Sequence, residues 1–212
     1  MKSGKRPSSA TKAASRQRLP WWWWYLRPYI FCAALWFGVC TSPVTAQYRN
    51  VTWSATDEFV RIAGQQVGTR ETGQNRGAVE KYQRSAGIAY GSPYCYAGLY
   101  WCADSTFRKT GQRNPLLRTG LASLGRAHLD KQAKESAVPA RVNLIFWQFP
   151  NSAFGHVDLG IETLQGGWIK CIGFNTGGGG SHRDGGGVNY VKRNINHPLA
   201  KMKLKQIIGL TI

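Results

Sequence analysis

Cys95 follows a Gly-Ser-Pro-Tyr break in the stretch "GSPYCYAGLYWC", at the point where a helix is about to begin. A helix start suits a nucleophilic thiol. Its first backbone N–H groups have no intrahelical partner and can face a developing oxyanion, and the helix dipole favours the thiolate. A thiol used in this way needs an imidazole beside it. The chain offers His128, His156, His182 and His197. His128 falls on a weak helix, His197 precedes a proline in a loop, and His182 lies between two glycine runs. His156 opens an apolar strand directly after Gly155, so it is the expected base. A third group should fix the tautomer and angle of the ring. Asn175, in "GFNT" at the end of the next strand, is the expected partner. Asp158, two residues beyond His156 on the same strand face, is its rival. The plain alternative for Cys95 is a small buried side chain, as cysteine often is.

Substrate contacts are expected from Tyr94 beside the nucleophile, from Glu71 in "TRETGQN", and from Trp147. Packing is the alternative role for the two aromatic residues. His156 and Asp158 would need a further donor to hold a metal, and only His182 offers one, so no metal is expected. The glycine runs at 177–180 and 185–187 are not followed by Gly-Lys-Ser/Thr, which argues against a nucleotide loop and for a flap after Asn175. No cofactor is expected.

These side chains must be positioned by the elements around them. "SATDEFVRIAGQQVG" places Phe59, Val60, Ala63 and Val67 on one face behind a Ser54 or Thr56 cap, which predicts a first helix. "RGAVEKYQRSAG" predicts a second, stopping at Gly87. A third is expected over roughly Tyr94 to Thr106, with Pro93 suited to its first turn, and a weaker fourth near Leu121 to Lys131. From Val138 the pattern changes to strands: "RVNLIFWQF", "GHVDLGIETL", "GGWIKCIGFNT", "GVNYVKR" and "MKLKQIIGLTI". Helices followed by consecutive strands predict an α+β fold with an antiparallel sheet.

Charge and cysteine usage bound the setting. The 212 residues carry 28 Lys+Arg against 10 Asp+Glu, a net charge of +18. Seven of the basic residues and none of the acids lie in residues 1–46, so the remainder is still strongly basic. Such a surplus favours an anionic partner. Residues 1–46 combine a basic flank, the apolar run "WWWWYLRPYIFCAALWFGVC" and a small-residue site at Val44-Thr45-Ala46, the parts of a secretory signal. Cleavage after Ala46 is the preferred reading, with an uncleaved membrane anchor as the alternative and residues 47–212 as the folded domain. Export leaves Cys95, Cys102 and Cys171 in the domain. Seven residues on one helix span about 10.5 Å, so Cys95 and Cys102 cannot bridge each other. Any internal disulfide would involve Cys171, and Cys102–Cys171 would leave Cys95 free.

Taken in order, "GSPYCYAGLYWC", "NLIFWQFPNSAFGHVDLGIE" and "WIKCIGFNTGG" resemble the CHAP amidohydrolase/peptidase group and its NlpC-type relatives, which are papain-like cysteine hydrolases. "GTRETGQNRGAVEKY" is similar to the segment that precedes the cysteine in cell-wall hydrolases of this kind. The resemblance spans about Thr56 to Ile212. It implies a papain-like fold, with N-terminal helices on an antiparallel sheet or half-barrel. It further implies hydrolysis of peptidoglycan amides by Cys95, His156 and Asn175, without a cofactor. Two departures stand out: Asn143 in "PARVNL" replaces an expected Asp, and Gly173-Phe174-Asn175 replaces Glu-Gly-Asn. The expected partners are peptidoglycan and an anionic wall surface, with no specific nucleic acid. The location implied is periplasmic, cell-surface or secreted, with membrane attachment through the N-terminal segment as an option. A catalytically silent module docking on the wall or on a secretion machine is the competing expectation.

Overall fold

The computed structural model describes residues 48–136, 140–177 and 186–211. The expected leader and cleavage site, His182 and most of the expected glycine-rich flap lie outside the described residues. The described residues all fall within one compact unit.

Four helices precede most of the strands. They are α1 (Thr56–Gly64), α2 (Glu80–Ala86), α3 (Cys95–Lys109) and α4 (Ala122–Asp130). Seven strands form one sheet: β1 (Tyr48–Thr52), β2 (Lys134–Ser136), β3 (Val142–Gln148), β4 (Gly155–Thr163), β5 (Trp168–Phe174), β6 (Val188–Asn194) and β7 (Lys203–Thr211). Their order is β2-β1-β7-β3-β4-β5-β6. The fold is therefore α+β, as the helix-then-strand pattern predicts, but the sheet is mixed. β1 runs parallel to β7, with Tyr48 opposite Ile207 and Thr52 opposite Thr211, and every other pair is antiparallel. The expectation of a purely antiparallel sheet is corrected by β1. Its hydrogen-bonding partner lies some 160 residues away, beyond the reach of any local pattern.

Two further local expectations change. α1 has Ala55 at its N-cap with no side-chain cap bond. Ser54 Oγ instead donates to Gln112 Oε1 at 2.8 Å, and Thr56 Oγ1 donates back to the Trp53 carbonyl at 3.1 Å. Pro93 lies two residues ahead of α3, whose N-cap is Tyr94. α2 does end at Gly87, which adopts the left-handed conformation (φ 70°) that glycine reaches without strain.

β3 is buried along both faces, which explains its nearly unbroken apolar run. Leu144 and Phe146 join the larger core beneath the helices, with Leu99, Val157, Leu159, Ile172 and Phe174. Ile145 and Trp147 turn to the other face, into a smaller cluster with Ile169, Cys171, Met202 and Ile207. Cys102 belongs to the first cluster and Cys171 to the second, so the sheet separates them. All three described cysteines are free thiols, and the Cys102–Cys171 bridge considered from the sequence does not form.

Candidate active site

Helix α3 begins at Cys95. The first amide to bond back within it is Gly98 N–H, donating to the Tyr94 carbonyl at 2.8 Å. The Cys95 amide therefore belongs to the unpaired first turn. Aromatic packing holds this start in place. Tyr82 on α2 stacks on Tyr94 with centroids 5.8 Å apart and meets Phe174 on β5 edge-on at 5.3 Å. Gly98, one turn into the helix, lets that same Phe174 ring approach, since a Cβ there would meet it at 2.1 Å. The crowd of aromatics around Cys95 thus locks the helix start against the end of β5.

His156 stands on β4, directly across from Trp147 on β3. Gly155 before it has no room for a side chain, because a Cβ would meet the Trp147 carbonyl at 2.1 Å. Nε2 of His156 is 3.0 Å from Oδ1 of the fully buried Asp158. Cys95 neighbours the same ring closely enough to favour its charged form, and with Nε2 engaged, Nδ1 is the nitrogen left to face the sulfur. Behind the carboxylate, Arg193 on β6 donates through Nε to Asp158 Oδ2 at 2.7 Å and through Nη2 to Oδ1 at 3.3 Å. The result is a buried hydrogen-bonded chain of imidazole, carboxylate and guanidinium, with the Cys95 sulfur beside the ring.

Electrostatics sets the protonation of this chain. Burial alone would drive the imidazole toward its neutral form. The Asp158 carboxylate outweighs it, aided by the Cys95 contact, and His156 is raised to about 10. Burial likewise opposes ionisation of Asp158, yet the His156 and Arg193 charges hold it down at about 2. At neutral pH the ring is therefore an imidazolium, set between the Cys95 sulfur and the Asp158 carboxylate.

The structure brings Cys95 and His156 together and selects Asp158 as the ring's partner. Asn175, the expected orienter, makes no hydrogen bond to His156. It leaves β5 in the left-handed conformation (φ 56°), and its Oδ1 is buried without a partner. The physical reason lies at Gly173, which pairs with Asp158 across the β4–β5 ladder. A Cβ at 173 would meet Asp158 Oδ1 at 2.7 Å, so the missing side chain opens the space that the carboxylate fills.

The three expected substrate contacts divide. Trp147 is 2% exposed and packed in the smaller cluster, so it is core beneath His156 rather than a groove wall. Tyr94 is also fully buried, and its phenol is driven well above its usual range by burial and the neighbouring Glu71 carboxylate. Glu71 is half-buried and accepts from the Asn75 amide at 2.5 Å, which braces the loop ahead of α3. Asn75 in turn donates to the Gly91 carbonyl at 3.1 Å, and Gln83 donates to the Ser92 carbonyl at 2.7 Å. These residues hold the approach to Cys95.

Sequence reasoning missed Arg193. In "GVNYVKR" it reads as a surface charge on an edge strand. The signal that could have found it is alternation, since Val191 and Arg193 share the face of Cys171 and Ile169. Among the described residues, no three His, Cys, Asp or Glu side chains converge as metal ligands would.

Comparisons with protein-family models, with curated proteins and with solved structures return no match for this chain. The site's chemistry therefore rests on its own geometry. A thiol at a helix start, an imidazolium and a buried carboxylate can together carry out nucleophilic acyl transfer.

Proposed function

We propose that this chain is an exported cysteine hydrolase that cleaves amide bonds of bacterial peptidoglycan, of the CHAP type that its motifs resemble. The observation that carries the reading is the Cys95–His156–Asp158 chain at the start of α3. In the first step the Cys95 sulfur, as thiolate, attacks an amide carbonyl of the wall peptide. The Cys95 N–H stabilises the oxyanion, the C–N bond breaks, and the His156 imidazolium gives its proton to the leaving amine. His156, now neutral, takes a proton from water, and the hydroxide released onto the thioester frees the acid and restores thiolate and imidazolium. Asp158 stays ionised and keeps Nε2 of the ring occupied throughout. The papain-like arrangement belongs to the same proposal, as do export and attraction of the basic domain to an anionic wall.

The test is release of new amine termini from purified peptidoglycan at low salt, comparing the chain with its Cys95→Ser variant. Release by the first and not the second supports the proposal, and the product termini name the bond. Wall binding by both without release would replace it with the docking-module reading.

A further inference from the structure

Seven large apolar side chains stand exposed among the described residues, and four of them lie on two elements that abut, the β3–β4 hairpin and the start of α4. Phe149 and Phe154 close the β3–β4 hairpin, joined by the Phe149 N–H to Phe154 carbonyl bond at 3.1 Å. Phe154 is 67% exposed and Phe149 38%. Leu121 and Leu124, at the start of α4, are 38% and 50% exposed. The two elements abut, since one small cavity is lined by Ala122, Ser123 and Arg126 of α4 together with Gln148, Gly155 and Lys205, each next to or near one of the four in sequence or, for Lys205, on the neighbouring β7. Single exposed apolar residues need no explanation, but four large ones drawn from two abutting elements do.

Charge narrows the choice of partner. Residues 113–129, 142–157 and 195–212 contain no Asp or Glu. Around the apolar residues they supply Arg126, Lys201, Lys203 and Lys205, and the three lysines are exposed. Exposed Phe and Leu beside a surplus of basic residues, the nearby Asp130 being already paired with Arg49, form the pattern that docks on an anionic bilayer. The apolar side chains enter the headgroup boundary while the lysines meet the lipid charge. We infer that the β3–β4 hairpin tip and the start of α4 form a docking surface for an anionic lipid membrane. His156 lies two residues beyond Phe154, so a docked domain would present its site to material close to that membrane. The inference does not depend on which amide the site cleaves.

Amide hydrogen exchange of the full chain, with and without vesicles of 70% phosphatidylcholine and 30% phosphatidylglycerol, tests it. This readout localises contact whatever residues 1–46 do. Amides of 149–154 and 121–124 should exchange on the order of tenfold more slowly on vesicles, with less slowing at high salt. The slowing should vanish at these positions in Phe149→Ser/Phe154→Ser and weaken in Lys203→Glu/Lys205→Glu. Unchanged exchange at 149–154 while the chain is vesicle-bound would overturn the inference. So would failure of the chain to bind these vesicles, or slowing that follows protein concentration without lipid, which would assign the patch to a second copy.

Discussion

At the scale of single residues, the side chain behind the imidazole distinguishes this site. A carboxylate orients a ring more strongly than an amide, and here it is itself gripped by Arg193. Alkylation of Cys95 by iodoacetamide, followed at the level of the Cys95 peptide, reads this arrangement without any assumption about substrate. Asp158→Asn should slow it about tenfold or more at neutral pH, since the imidazolium loses its counter-charge. Asn175→Ala should leave it nearly unchanged. Arg193→Met should act through Asp158, slowing alkylation and also destabilising the fold by about 3–5 kcal/mol, because a buried charge is left uncompensated. Arg193→Lys should recover part of both, with a point charge in place of the two-toothed fork. Equal alkylation rates in wild type and Asp158→Asn would remove Asp158 from the site's chemistry. The pair Cys95 and His156 was legible from residue type and context. The choice of Asp158 over Asn175 was not, because it depends on the opening left by Gly173 and on the left-handed turn at Asn175.

At the scale of elements, α3 and β5 meet at Gly98 and Phe174. A glycine inside a helix ordinarily costs about 1 kcal/mol relative to alanine, so Gly98→Ala would stabilise an isolated α3. In the folded chain the added Cβ would fall inside the Phe174 ring, and overpacking of this kind costs roughly 1–3 kcal/mol or more. The clash should win. Thermal denaturation of Gly98→Ala is expected to show a lower midpoint and slower Cys95 alkylation together, because Phe174 also touches Tyr82 behind the helix start. A raised midpoint would mean that the helix and strand are not held by this contact. The four helices and β3 to β7 were readable because each carries its own apolar period. β1 and β2 were not, being short strands whose pairing is settled by distant segments. Trp147 could have been placed better, since "LIFW" is apolar at four successive positions and so signals burial on both faces.

At the scale of the whole molecule, the buried His156–Asp158–Arg193 chain ties stability to pH. His156 is raised on folding, so its contribution is complete below its unfolded value near 6.5 and is lost as pH climbs toward about 10. Asp158 is lowered, so its contribution is complete above about 3.8 and is lost as pH falls toward about 2. Denaturant midpoints should therefore be highest between about pH 4 and 6.5 and decline on either side. The alkaline decline should flatten in His156→Gln. A wild-type midpoint that holds steady from pH 7 to 10 would contradict the ring's assigned protonation.

The parallel union of β1 with β7 bears on time as well as shape. β7 fills the gap between β1 and β3, so the sheet cannot be completed until residues 203–211 have left the ribosome. β3 to β6 can pair as they emerge, and β1 can take β2 on one side, whereas its other edge must wait for a partner synthesised some 160 residues later. Until then its edge is open, which makes a growing or truncated chain prone to aggregate. The order of synthesis thus leaves the strand at the front of the domain half-paired until the final strand is made.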